Sequence, residues 1–172
     1  VMTDKETLGT ALCGYNLTLV ISNDSDRIFN QVDAFVAQSQ GNDTIRCVTL
    51  SPYDVHPGKY EVWDKVGQGV GNLQSLGVVR IYLNDSLGEP DWEILARILP
   101  HIKSKIELRI MGGVIEGLEE MREFSRAIQG HPAIAQFVNI TAGFSFESAA
   151  TLCSALTTLP NLESAGLEHR KL

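Results

Sequence analysis

The sequence predicts an α/β fold in which about five strand–helix units follow one another and stack into a sequential parallel sheet. Three observations support this prediction. Six short segments alternate apolar with polar residues, segments with helical apolar periodicity lie between them, and prolines occur where a helix must end before the next strand. We expect the helices to cover one face of the sheet and to leave the other face open.

Each predicted strand carries two apolar residues two positions apart, and this spacing places both on the same face of the strand. The predicted strands are 16–21, 45–50, 78–83, 105–110, 135–140 and 162–167. Their fourth positions are Leu19, Val48, Ile81, Leu108, Val138 and Ala165. Their sixth positions are Ile21, Leu50, Leu83, Ile110, Ile140 and Leu167. Both columns are therefore predicted to contact the helices.

Between successive strands, apolar residues recur at spacings of three and four, which places them on one helical face. The clearest stripe consists of Ile94, Leu95, Ile98, Leu99 and Ile102. Pro90, Asp91 and Glu93 suit the first turn of this helix, because acidic residues are favoured near the positive end of the helix dipole. The helix-to-strand junctions contain Pro100, Pro132 and Pro160. One unit alone cannot bury its apolar faces, so neighbouring units are predicted to stack.

The last unit resembles a leucine-rich repeat. Residues 159–167 (LPNLESAGL) resemble the strand pattern L-x-x-L-x-L, and residues 149–159 (AATLCSALTTL) resemble the helical half of the ribonuclease-inhibitor-like subclass. The resemblance extends from residue 16 to the C-terminus and implies a horseshoe-shaped solenoid with its helices on the convex side. We expect residues 1–172 to form one repeat domain of about five units, as a fragment of a longer solenoid.

In such a stack the remaining strand positions face away from the helices and form a continuous surface. Arginine and aromatic residues occur at its middle, and these residue types often dominate binding energy. We predict non-catalytic binding of a protein partner along this concave face. The predicted partner-binding residues are Arg80, Tyr82, Asn84, Glu107, Arg109, Met111, Phe137 and Asn139. The alternative is that the large side chains only cover the strand backbone.

Charge and composition exclude some classes of partner. The chain has 14 Lys+Arg against 21 Asp+Glu and a net charge of −7, which disfavours nucleic-acid binding. The sequence contains no stretch of 18 apolar residues, so no membrane span is predicted. No signal peptide is readable, and Cys13, Cys47 and Cys153 form no close pair, so we expect buried, reduced thiols and an intracellular location. The start at Val1 leaves a secreted or organellar location open.

We expect no enzymatic activity, no cofactor and no metal site. The segment from Gly67 to Asn72 (GQGVGN) is the basis of one alternative, a small α/β enzyme or nucleotide-binding domain. Its G-x-G-x-G spacing departs from the G-x-G-x-x-G of dinucleotide loops, and a loosened helix end explains it better. The four histidines are dispersed, and Ser145 is interpreted as a helix cap. A second alternative is a structural subunit of a larger assembly.

Overall fold

The computed structural model contains one six-stranded parallel sheet, with a helix between each pair of successive strands. It describes residues 16–19, 28–53, 60–115, 117–140 and 145–167. The strands are β1 (Asn16–Leu19), β2 (Cys47–Leu50), β3 (Val78–Leu83), β4 (Ile106–Gly112), β5 (Ile134–Asn139) and β6 (Ser164–Leu167). The helices are α1 (Ile28–Ser39), α2 (Tyr60–Gly71), α3 (Trp92–Ile98), α4 (Leu118–Ile128) and α5 (Phe146–Leu156). Short 3-10 helices span Asp85–Leu87 and Leu99–His101.

The six strands pair in chain order, β1-β2-β3-β4-β5-β6, and every pair is parallel. The α/β fold with a sequential parallel sheet is therefore confirmed. A doubly wound sheet needs a point where the strand order reverses, and ligands bind in the crevice that opens there. The six described strands have no such point.

The core lies between the sheet and the helices. In β2, β3 and β4 the residues of the two predicted columns are buried, namely Val48, Leu50, Ile81, Leu83, Leu108 and Ile110. In and just after β5, the predicted column residues Val138 and Ile140 are only partly buried, so their predicted place in the core was wrong. The helices contact one another in chain order, from α1 to α5, and their apolar stripes pack on the same core. Ile21 lies outside the described residues. In β3 and β4 the strand residues between the columns are more exposed, so the helices cover one face of the sheet.

Two caps support the predicted helix starts. The Asp91 carboxylate accepts a hydrogen bond from the backbone N–H of Glu93 at the start of α3 (3.1 Å). The Ser145 hydroxyl accepts one from the backbone N–H of Ser148 at the start of α5 (3.2 Å). Such bonds satisfy backbone donors that have no partner within the helix. The interpretation of Ser145 as a helix cap is confirmed.

The loops that lead from helix to strand are linked to one another by hydrogen bonds. The Ser104 hydroxyl donates to the Leu76 carbonyl (3.1 Å), and the Asn161 side-chain amide donates to the Pro132 carbonyl (2.8 Å). His131 makes a third link, because its Nε2 lies 2.7 Å from the Leu99 carbonyl oxygen. Successive units are therefore joined outside the sheet as well as within it.

Two predictions about membranes and cysteines can be compared with the structure. Within the described ranges, no helix is long and apolar enough to cross a membrane. Cys47 is a buried free thiol, as expected. Cys153 is a free thiol but is exposed, so the prediction that it is buried was wrong. Its helix α5 turns other residues, including Leu152 and Leu156, toward the core. Cys13 lies outside the described residues.

The pH dependence of stability is predicted to include a contribution from His131. Burial lowers the pKa of this imidazole below its ordinary value of 6.5. The neutral ring donates from Nε2 to the Leu99 carbonyl, while Nδ1 accepts from the Ala133 backbone N–H (3.2 Å). Between the lowered pKa and 6.5, the unfolded chain binds more protons than the folded chain. The contribution is thus fully present above pH 6.5 and falls as the pH decreases toward the lowered pKa.

Urea unfolding at several pH values from 7.5 to 5 tests this prediction. The His131→Leu variant removes the titrating ring and leaves the Leu99 carbonyl and the Ala133 N–H without their partner. We expect it to lower the free energy of unfolding at pH 7.5 by about 1–2 kcal/mol. We also expect the variant to lose less stability than the parent protein as the pH falls. Equal pH dependence in the two proteins would contradict this role of His131.

Candidate functional site

The sheet face opposite the helices is the candidate site, and we call it the open face. The residues that define it on the four inner strands are Cys47, Thr49, Val78, Arg80, Tyr82, Glu107, Arg109, Met111, Gln136 and Val138. Tyr82 is the most prominent apolar residue among them, with 44% of its surface exposed. Five of the eight predicted partner-binding residues lie together here: Arg80, Tyr82, Glu107, Arg109 and Met111.

A row of residues with two arginines crosses the middle of the open face. Thr49 pairs with Arg80, and Arg80 pairs with Arg109 on the next strand. Arg109 Nε donates a short hydrogen bond to Glu107 Oε1, two residues earlier on the same strand. This bond raises the pKa of the Arg109 guanidinium. Within the described ranges, the Arg80 side chain makes no hydrogen bond or ion pair. Among the described residues of this row, the Arg109 guanidinium is thus paired and the Arg80 guanidinium is not.

Cys47 lies beside this row and is only 5% exposed. Burial raises the pKa of its thiol, while the nearby Arg80 guanidinium and a hydrogen bond with Thr49 act in the opposite direction. Because burial is the larger effect, the thiol is protonated at neutral pH. A protonated thiol is a poor nucleophile, so the arrangement gives no indication of cysteine chemistry.

An apolar row lies next to the arginines, toward the carboxyl ends of the strands. Tyr82 pairs with Met111 across β3 and β4. Ile140 continues this row just after β5, where its backbone N–H donates to the Ile110 carbonyl (2.8 Å). The open face thus presents charged and apolar side chains side by side.

Asn84 follows β3, and its side-chain oxygen and its backbone N–H bond to groups of the same chain. Its Oδ1 accepts from the backbone N–H of Ser86 (3.0 Å) and from the Ser86 hydroxyl (2.6 Å). Its backbone N–H donates to the Tyr53 hydroxyl (2.8 Å). Burial raises the pKa of that phenol. Asn84 therefore caps the short helix Asp85–Leu87 and joins two units.

Phe137 and Asn139 lie on the opposite face of the sheet from their predicted position. Both are buried, at 0% and 1% exposure, and they pair with Leu108 and Ile110 on the side that faces the helices. Their placement on the open face was therefore wrong. The cause is a β-bulge, because Ile106 pairs with Ile134 whereas Glu107 pairs with Gln136. The extra residue reverses the alternation along the rest of β5.

The packing of Phe137 explains why this alternation is favoured. Its ring lies 6.2 Å from the ring of Phe124 in α4, which in turn makes an edge contact at 4.9 Å with Trp92 of α3. Either Phe137 or its neighbour Val138 can face the helices, and a phenyl ring buries more apolar area there than a valine side chain. Gln136, which sequence reasoning did not select, occupies an exposed position on the open face.

The glycines of the Gly67–Asn72 segment do not form a phosphate-binding loop. Gly67, Gly69 and Gly71 are part of helix α2. A methyl group at Gly67 would contact the His101 ring, one at Gly69 would overlap the Phe35 ring, and one at Gly71 would overlap the His101 carbonyl. The glycines thus permit close packing of α2 against its neighbours. The nucleotide-binding alternative therefore loses the loop on which it was based.

The sequence did not indicate a groove of about 420 Å³ on the helical side, between α3 and α4. Its lining residues are Asp91, Trp92, Glu93, Ala96, Glu123, Arg126 and Ala127. The small side chains of Ala96 and Ala127, on facing helices, were the available signal. The indole N–H of Trp92 has no hydrogen-bond partner among the described residues, but it is completely buried and therefore inaccessible from the groove. Among the described residues, no three metal-binding side chains come together.

Comparison with known proteins adds no family assignment. No protein-family model matches the chain, and a search of curated proteins finds no match.

Proposed function

We propose that this chain is a non-catalytic protein-interaction module of the leucine-rich-repeat-like type, which binds a protein partner along the open face. The observation that supports the proposal is a sequential parallel sheet with one face that the described helices leave uncovered, on which Arg80, Tyr82 and Arg109 lie together. In a horseshoe-shaped solenoid, this face is the concave one. Solenoid proteins commonly use such extended surfaces for binding.

Links between units at the carboxyl ends of the strands support the repeat interpretation. The family usually carries an asparagine three residues after the last strand leucine, and this chain has Tyr53 there in its second unit. The Tyr53 hydroxyl accepts a hydrogen bond from the backbone of the next unit at Asn84. One unit later, the Asp85 carboxylate accepts a hydrogen bond from the backbone N–H of Val114 (3.1 Å). In this chain the side chains of Tyr53 and Asp85, instead of an asparagine, therefore connect neighbouring units.

Charge reversal on the open face tests the proposed function. The double variant Arg80→Glu/Arg109→Glu is expected to lose partners that the parent protein captures from an extract of its native source. Arginines at the centre of interfaces often contribute 2 kcal/mol or more, so an affinity loss of roughly 30-fold or greater is expected. Quantitative mass spectrometry of the captured proteins measures this loss. Circular dichroism and thermal unfolding establish that the variant is folded.

The matched control is Arg122→Glu/Arg126→Glu on α4. Both side chains are more than half exposed and lie on the helical side, and the double substitution changes the net charge by the same amount. We expect this control to retain the partners. Equal capture by the parent protein and the open-face variant would remove the open face as the binding surface.

A further inference from the structure

The open face is locally basic in a chain whose net charge is −7. Arg80 and Arg109 lie opposite each other on adjacent parallel strands. The only carboxylate in contact with either guanidinium, within the described ranges, belongs to Glu107 and is bonded to Arg109. Lys105 also carries positive charge just before β4, but it pairs with Glu163 (3.0 Å). Among the described residues, the Arg80 guanidinium therefore has no negative partner.

This arrangement does not improve the stability of the free chain. Directly opposed like charges on neighbouring strands are unfavourable, and one carboxylate compensates only one of the two arginines. An anion supplied from outside would relieve the repulsion and occupy the free guanidinium. Arginine favours carboxylates for this purpose, because its planar fork of donors matches both carboxylate oxygens.

The apolar row beside the arginines restricts the class of molecule that can supply this anion. Tyr82 and Met111 are two residues further along their strands than Arg80 and Arg109, which corresponds to about 6.6 Å. A partner on this surface therefore contacts charged and apolar side chains at the same time. A protein segment that carries acidic and apolar residues fits both rows, whereas a nucleic acid is a dense polyanion that the acidic chain repels.

We propose that the partner is a protein segment that places a carboxylate on Arg80 and an apolar side chain on Tyr82 and Met111. This inference rests on the proposed function and specifies the chemistry of the partner. The carboxylate forms a charge-assisted, two-pronged bond with the free guanidinium. The adjacent apolar side chain covers the ring of Tyr82, a residue that is 44% exposed.

Synthetic peptides of equal length provide the probes. One set combines glutamate with leucine in different orders, a second replaces glutamate by lysine, and a third replaces leucine by serine. A single-stranded DNA oligonucleotide is the fourth probe. Binding is followed by the methyl signals of methionine labelled with carbon-13. Met111 reports on the open face, and the fully buried Met121 in α4 is the internal control.

The expected result is that at least one glutamate–leucine peptide shifts the Met111 signal saturably and leaves the Met121 signal in place. Added salt should weaken this binding, and Arg80→Gln should weaken it at least tenfold. Arg80→Lys should restore it only in part, because lysine keeps the charge but lacks the fork. Arg126→Glu on α4 should have no effect. In the absence of peptide, the Arg80→Met variant should have a urea midpoint of unfolding equal to or higher than that of the parent protein.

Several outcomes would overturn the inference. These are equal binding of the lysine–leucine peptides, preferential binding of the oligonucleotide, unchanged affinity in Arg80→Gln, or no saturable shift with any glutamate–leucine peptide. A destabilised Arg80→Met would show that Arg80 serves the fold instead. If the peptide experiments contradict the inference while charge reversal still abolishes partner capture, the proposed interaction function is retained. Only the proposed acidic and apolar chemistry of the partner is then wrong. If capture does not depend on the open face, the proposed function itself fails.

Discussion

Replacing Phe137 by alanine is expected to lower the free energy of unfolding by about 3–5 kcal/mol. The ring is completely buried and packs against Phe124, so its removal loses apolar burial and leaves a cavity between β5 and α4. Urea unfolding followed by circular dichroism measures the change. The matched control is Tyr82→Ala, which truncates an aromatic residue of β3 that lies on the open face and is 44% exposed.

This comparison also tests the reversed alternation in β5. If Phe137 is in the core, its truncation reduces stability strongly, whereas Tyr82→Ala costs less than about 1 kcal/mol, as surface substitutions usually do. If Phe137 were on the open face as the sequence predicted, the two variants would show similar, small losses. A loss below 1 kcal/mol for Phe137→Ala would therefore contradict the observed register.

Replacing Gly69 by alanine is expected to destabilise the protein by about 1–3 kcal/mol, although alanine is the better helix former. The added methyl group would overlap the ring of Phe35, which is 1% exposed and confined by the core. Crowding between α1 and α2 therefore outweighs the gain of roughly 1 kcal/mol in helix propensity. Thermal and urea unfolding measure the net effect.

Gln68→Ala is the control on the same helix, because this side chain is exposed. It should change stability by less than about 0.5 kcal/mol. A stabilised Gly69→Ala would mean that α1 and α2 are not closely packed at this position. It would also weaken the conclusion that the glycines of the Gly67–Asn72 segment permit close packing of α2.

The fold was largely predictable because apolar periodicity reflects burial. In β3, Val79, Ile81 and Leu83 alternate with more exposed residues, and the structure buries all three. The proline junctions separated strands from helices for a similarly local reason, since proline cannot continue a helix. Strand order followed from the repetition of one unit. These features depend on residues close together in the chain.

The errors concern features that depend on tertiary contacts. In β5, Phe137 and Val138 are both apolar, so alternation alone did not identify which one enters the core. The bulge at Ile106 and the contact with Phe124 decide it. The same limit applies to Gly69, because Phe35 lies more than thirty residues away in sequence. A glycine pattern does not reveal whether it serves a ligand or a neighbouring helix.

The sequential pairing of the six described strands gives the open face a definite width. Five interstrand steps separate β1 from β6, and at about 4.8 Å each they give a width of roughly 24 Å. About 16 residues of α-helix, or about seven residues of extended chain, cover that distance. A segment of that length would cover the open face of the six described strands from edge to edge, whatever its side chains.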